Sequence, residues 1–176
     1  MELLSRFIAF LILILLSPII FFISILSLLF QGSPIFYKQE RVGYQYECFN
    51  IYKFRTMVDN SGDLITKPND SRVTMFGRIL RETKIDEIPQ LLNILKGEMR
   101  FIGPRPEVTE YFEKSTFQFF EKIKPGISDY ASIIFRDETK ILKRIGGDNP
   151  YLKLLPIKLE LAEYYSRKKS FLLDFK

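Results

Sequence analysis

The stretch from Phe7 to Phe30, FIAFLILILLSPIIFFISILSLLF, decides what kind of protein this is. Its 24 residues carry no charge and no glycine. A straight helix of that length covers about 36 Å, against a bilayer hydrocarbon core of roughly 30 Å. The run exceeds the ~7 to 15 residues of a signal-peptide core and no small-residue cleavage site follows it, so it reads as an anchor of the mature protein. Ser17-Pro18 falls at its middle. Proline there removes one backbone hydrogen bond and crowds the carbonyl four residues back, so a bend is expected, with the Ser17 hydroxyl helping to satisfy the freed backbone. Two arms of about 12 residues, each roughly 18 Å long, could enter and leave by one face. From the residues alone, a kinked spanning helix is the plainer reading. Only Arg6 precedes the run, whereas Lys38, Arg41, Lys53 and Arg55 follow it, which puts the remaining chain in the cytoplasm under either topology.

Outside the anchor the chain is charged and short. Its 176 residues leave room for one domain, and the expected division is a membrane helix at 1–32 and a membrane-associated catalytic domain at 33–176. There are 26 Lys plus Arg against 21 Asp plus Glu, a net charge of +5, with no His, no Trp and a single cysteine, Cys48. Absence of imidazole removes Ser-His-Asp and Cys-His catalysis and His-bearing zinc sites, and one cysteine removes intramolecular disulfides and CxxC chemistry. Catalysis is left to carboxylates, Lys, Arg, hydroxyls or a hard metal held by oxygen. Basic residues mixed with so many acids form no stripe, so nucleic acid is not an expected partner.

Ile35 to Met57 is rich in Phe, Tyr, Ile and Val, is interrupted by Arg41-Val42-Gly43, and reads as a β-hairpin. Asp59 to Ser71 is polar and turn-rich, hence a loop. A short helix is expected over Arg72 to Leu80, and a second over Pro89 to Lys96, with proline in its first turn and Gly97 just past its end. Pro104-Arg105-Pro106 has two residues without a donor N–H and must be a rigid loop. A helix is expected from Glu107 to Phe120, a turn at Lys124-Pro125-Gly126, a loop from Lys143 to Asn149, and a helical tail from Pro150 broken near Pro156, with Leu152, Leu155, Leu159 and Ala162 on one face. The interleaving of apolar residues with Lys and Arg suits helices lying flat in a headgroup layer. The fold class is therefore α+β and mostly helical.

Three pieces set charge beside restricted backbone: YKFRTM at 52–57, RETKIDEIPQ at 81–90 and GPRPE at 103–107. Asp86 and Glu87 lie just ahead of the helix starting at Pro89, whose unpaired amides favour an ionised carboxylate. Ionised and near cations, Asp86 could attack phosphorus while a neighbouring carboxylate helps hold a divalent cation; the plainer role for such a pair is a helix cap with solvated charge. Lys53, Arg55, Arg81 and Arg105 are candidates to clamp a pyrophosphate, because phosphoryl transfer depends on cations placed against developing oxygen charge. Arg105 is the strongest, since Pro104 and Pro106 reduce the ordering entropy that opposes bidentate geometry.

Together the anchor with Ser17-Pro18, YKFRTM at 52–57, LRETKIDEIPQLLNILKGEM at 80–99, FIGPRPE at 101–107 and KPGIS at 124–128 resemble the bacterial sugar transferase family of monotopic phosphoglycosyl transferases. The small size is similar to the family's minimal form, the type that primes bacterial protein N-glycosylation. The resemblance implies transfer of a phosphosugar from a UDP-sugar to undecaprenyl phosphate with release of UMP, at the cytoplasmic face of the inner membrane. It further implies that Asp86 is the nucleophile forming a phosphosugar intermediate, that Glu87 assists with Mg2+, and that Lys53, Arg81 and Arg105 contact phosphates. The family's anchor is re-entrant and bent at its Ser-Pro, which reverses the preference for spanning. Two positions depart from the family's usual pattern: Arg100 after the Met of GEM, and Asp129-Tyr130 after PGIS. A membrane-bound phosphatase acting on lipid diphosphates with the same carboxylates and cations is the competing activity. The sugar, the downstream glycan and self-association through the tail are left open by the sequence.

Overall fold

The computed structural model describes residues 2–58, 70–147 and 149–170. The loop expected at 59–71 falls outside them except for its last two residues. Contacts divide the chain into two compact units, residues 1–40 with 49–98 and residues 41–48 with 99–176.

The first unit is built on α1 (Glu2–Gln31), long and apolar enough to cross a membrane. Most of its side chains face outward: Leu15 is 76% and Leu29 73% exposed, while Ala9, Ile23 and Ser27 are buried. Helical structure continues through Pro18, so the two expected arms are one continuous helix. The Ser17 hydroxyl donates to the Ile14 carbonyl at 2.7 Å, which is the acceptor that the missing Pro18 N–H would have served. Both ends of α1 are tied to this unit. Arg6 donates to the Lys96 carbonyl at 3.2 Å. Gln31 donates to the Arg55 carbonyl at 3.0 Å and accepts from Thr74 Oγ1 at 2.8 Å.

Strands β1 (Phe36–Val42) and β2 (Cys48–Phe54) pair as the expected hairpin, its reversal a 3-10 turn at Tyr44–Tyr46 rather than at 41–43. Helix α2 (Met75–Glu82) starts three residues later than the sequence suggests, because Val73 bridges to Met57 and the Thr74 side chain caps the Gly77 N–H at 2.8 Å. A 3-10 turn (Ile85–Gln90) runs directly into α3 (Leu91–Lys96), which Gly97 ends at φ +83°, the left-handed position glycine adopts without a Cβ clash. Ile23, Phe54 and Leu80 are buried together, with Ile20, Ile35, Phe76 and Ile85 packed around them.

In the second unit the short strands β3 (Arg100–Ile102) and β4 (Gly126–Ser128) pair in parallel, Arg100 opposite Gly126 and Ile102 opposite Ser128. The expected turn at 124–126 is thus a strand entry. A Cβ on Gly126 would lie 2.2 Å from the Gly103 nitrogen, so glycine is required for this close approach. The helix expected over 107–120 is absent; two 3-10 turns, Thr109–Tyr111 and Gln118–Glu121, occupy that region. Its Val, Thr, Tyr and Phe residues lose side-chain freedom in a helix, and four aromatics are spent on a core. Phe117, Phe119, Phe120 and Ile123 are buried with Ala162 and Tyr165, and Phe112 packs against them. Helices α4 (Tyr130–Ile134), α5 (Glu138–Ile145) and α6 (Pro150–Lys168) follow. Residues 143–145, expected in a loop, complete α5. Helix α6 runs unbroken past Pro156, whose missing N–H would have served the carbonyl of the half-exposed Leu152. Leu155, Leu159 and Ala162 face the core as expected. Leu152 does not, and Tyr151 and Leu154 are the buried residues of that turn.

Candidate active site

In the first unit, β2 and the segment after it bring Lys53 and Thr56, α2 brings Arg81, and the 3-10 turn brings Asp86 and Glu87. Lys53 Nζ donates to Glu87 Oε1 at 3.0 Å, with both side chains largely buried. Arg81 Nε donates to Thr56 Oγ1 at 2.8 Å. Asp86 is 6% exposed, and its Oδ1 is buried without a hydrogen-bond partner among the described residues. An unpaired buried carboxylate oxygen is costly. The sequence points to a fully ionised Asp86; burial instead pushes its pKa up, Lys53 being the strongest pull back and Glu87 adding to the rise. Burial likewise pulls the Arg81 guanidinium down, opposed first by the charge of Asp86. Asp86 and Arg81 each oppose the effect of burial on the other, and the charges of Lys53 and Glu87 act on Asp86 as well.

Several neighbours fix this geometry. Packing leaves no room on α2 at Gly77, where a Cβ would sit 2.1 Å from the Thr56 carbonyl oxygen. Asn93, wholly buried on α3, accepts from the Tyr52 N–H at 3.2 Å and donates to the Asn50 carbonyl and to Glu98 Oε2, both at 2.7 Å. It thereby holds the strand that carries Lys53. Neither residue was singled out in the sequence, where a glycine on a short helix and an asparagine among leucines carry no chemical signal. Arg55, expected among the phosphate ligands, is turned elsewhere. Its guanidinium donates to the carbonyls of Ser33 at 2.8 Å, Gly32 at 2.7 Å and Gln31, the chain leaving α1. It caps the C-terminal end of the anchor, where a cation also opposes the helix dipole.

Arg105 belongs to the second unit. The loop Pro104-Arg105-Pro106 is clamped by backbone: Gly103 N–H to the Ser128 carbonyl and Gly126 N–H to the Pro104 carbonyl, each at 3.0 Å. Asp129, one of the positions departing from the family pattern, accepts from the Arg105 N–H at 3.3 Å while capping α4 through the Ser132 N–H at 2.6 Å. Next along the loop, Glu107 is buried and accepts from the Tyr151 hydroxyl at 2.6 Å and from the Val108 N–H at 2.9 Å, with Arg41 at 3.6 Å. Burial and the adjacent Glu107 carboxylate push the Tyr151 hydroxyl pKa up, keeping it a donor. The proline loop is thus held at Pro104 and Arg105 and at both flanking residues, Gly103 and Glu107.

Mg2+ can be tested against the donors present. Among the described residues no cluster of three or more acidic side chains forms a cage. Asp86 and Glu87 supply two carboxylates, one with an unpartnered buried oxygen. That matches the way Mg2+ is usually held, by one or two carboxylates plus substrate phosphates.

Comparison with known proteins supplies independent information. The family model described as bacterial sugar transferase matches residues 2–176. The chain is 38% identical over 165 residues to the uncharacterized sugar transferase EpsL of Bacillus subtilis, covering 91% of this chain and 74% of that protein. It is 34% identical over 172 residues to the UDP-N-acetylgalactosamine-undecaprenyl-phosphate N-acetylgalactosaminephosphotransferase of Aeromonas hydrophila, covering 90% and 40%. It is also 34% identical over 179 residues to the UDP-glucose:undecaprenyl-phosphate glucose-1-phosphate transferase of Escherichia coli, covering 94% and 37%. The chain thus spans well under half the length of the latter two.

Proposed function

Since the chain belongs to the bacterial sugar transferase family, we propose that it moves a sugar phosphate from a UDP-sugar to undecaprenyl phosphate, releasing UMP, as the priming step of a glycoconjugate pathway at the cytoplasmic face of the inner membrane. The observation that carries this reading is the buried, unpartnered Oδ1 of Asp86 beside Lys53, Glu87 and Arg81. Desolvated carboxylate oxygen is a stronger nucleophile than hydrated carboxylate, and the surrounding cations are placed for phosphate charge.

In the proposed first step, Asp86 Oδ1 attacks the phosphorus bonded to the sugar. The bond from that phosphorus to the bridging oxygen breaks, and UMP leaves with the electron pair. In the second, an oxygen of the lipid phosphate attacks the same phosphorus, the bond to Asp86 breaks, and the carboxylate is regenerated. Lys53 and Arg81 meet the charge developing on phosphate oxygens. Asp86 and Glu87 would hold Mg2+, whose charge would offset that of the substrate diphosphate.

The re-entrant form of the anchor belongs to the same proposal. Arg6 at the start of α1 and Gln31 at its end both bond the same unit, as expected when both ends lie on one side of a membrane. A cysteine replacing Ser5 should be labelled from the cytoplasmic side; labelling from the periplasmic side alone would contradict the re-entrant topology. For the activity, UMP release should require a UDP-sugar and depend on undecaprenyl phosphate for turnover, with a panel of UDP-sugars identifying the donor. Release of inorganic phosphate from a lipid diphosphate without any UDP-sugar would overturn the proposal in favour of a phosphatase.

A further inference from the structure

Asn93 shows what a structural amide looks like in this fold: its side chain accepts from one backbone N–H and donates to a carbonyl and to a carboxylate. Gln90, three residues earlier, is buried to 2% exposure, yet its Nε2 has no hydrogen-bond partner among the described residues. Its side chain does not cap α3 either. A buried amide donor left unpaired carries its full desolvation penalty, which points to an acceptor that arrives with a substrate. The second orphan of the same 3-10 turn is Asp86 Oδ1. An acceptor without a donor and a donor without an acceptor therefore occupy one short stretch, Ile85–Gln90, and they do not bond each other.

Four residues of a 3-10 turn rise about 8 Å, a span that a tetrahedral phosphoryl group attached to Asp86 can bridge. We propose that Gln90 is a further catalytic residue, whose Nε2 donates a hydrogen bond to a non-bridging oxygen of the phosphoryl group while that group is transferred to and from Asp86. Both orphans are then satisfied together: Oδ1 by its bond to phosphorus, Nε2 by the phosphoryl oxygen. The amide keeps its protons throughout, so neither charge nor proton passes through it. A neutral donor preset away from water acts on oxygen charge as it develops, and Pro89 helps to preset it by fixing the backbone immediately before Gln90. Lys53 and Arg81 supply charge, and Gln90 supplies direction. This role rests on the attack by Asp86 put forward above and adds to it a donor for the intermediate.

Gln90→Met tests this, because methionine fills similar space without a donor. With the UDP-sugar found by the panel above, kcat and kcat/KM for UMP release should fall together by about a hundredfold, the scale for losing one oxyanion donor. The unfolding midpoint of the substrate-free protein should stay level or rise, because the unpaired amide is gone. A purely structural glutamine would instead lower the midpoint. Should methionine itself unsettle the fold, Gln90→Leu is read by the same pair of measurements. Intact mass with donor and added UMP gives a further readout, in which the variant should hold less adduct than the parent at equal UMP. A parental kcat in the stable variant, or midpoints below the parent in both variants, would overturn the role of Gln90. A parent protein that forms neither UMP nor adduct would refute the proposed function and this role with it, whereas a parent that forms both while Gln90→Met matches it refutes only the role.

Discussion

Removing one partner of the Lys53–Glu87 pair tests how far the site depends on compensated burial. At 3.0 Å and an effective dielectric near 20, the mutual attraction is about 5–6 kcal/mol, most of it cancelled by the cost of desolvating both groups. Lys53→Met keeps the apolar stem and leaves Glu87 without that partner. One-sided removal from a fully buried pair costs roughly 3–5 kcal/mol. Here the side chains keep 19% and 12% of their exposure, so screening reduces the expected loss to about 2–3 kcal/mol. In a chain of this length that lowers the unfolding midpoint by roughly 4–12 °C. Adding Glu87→Leu to Lys53→Met should restore most of the loss, because no uncompensated charge remains. Thermal unfolding of the parent, both single variants and the double variant, in one detergent, closes the cycle. A Lys53→Met change under about 0.5 kcal/mol, or a double variant no more stable than that single, would refute the argument.

Burial raises the Asp86 pKa, and the sign of the consequence is fixed. The cost of the charged form is absent below the unfolded-state pKa and is felt as pH rises through the folded one. Asp86→Asn should therefore be more stable than the parent at neutral pH, with an advantage that fades on acidification, while UMP release is abolished; denaturation midpoints against pH check this. The acid limb of the parent's rate profile should lie above the range of an ordinary aspartate, as the pH dependence of UMP release will reveal. Gly77→Ala should cost roughly 1–3 kcal/mol, since the new methyl meets backbone rather than a movable side chain, and thermal unfolding measures it. Tyr151→Phe strips a hydroxyl from the buried Glu107 and should cost about 1–3 kcal/mol in the same assay.

The anchor, the hairpin, α3 with its terminating Gly97 and the proline loop were all legible, because each rests on local rules: apolar length, alternation, capping and donor loss. What was not legible depended on distant partners. Glu107 to Phe120 has the spacing of a helix, yet Val42 N–H bonds the Glu107 carbonyl at 2.9 Å and the phenylalanines turn inward together. The β3–β4 pair joins strands of three residues separated by a long connection, too short for any periodic signal. At the site, chemistry alone singles out Asp86, Glu87, Lys53 and Arg81, and the fold joins Lys53 to Glu87 and sets Asp86 under the charges of Lys53, Glu87 and Arg81. Arg55 caps the end of α1 instead of facing a ligand, a difference that nothing local in the sequence distinguishes. Thr56 and Asn93 carry no chemical signal of their own because their part is positional. Burial of Asp86, which raises its pKa, is a property of the fold and has no local signal.

The most direct test of the account is the intact mass of the protein incubated with its UDP-sugar donor and no lipid acceptor, followed by peptide mapping. The account predicts an added sugar phosphate on Asp86, discharged when undecaprenyl phosphate is supplied. Steady formation of lipid-linked product with no adduct on Asp86 at any time would contradict it.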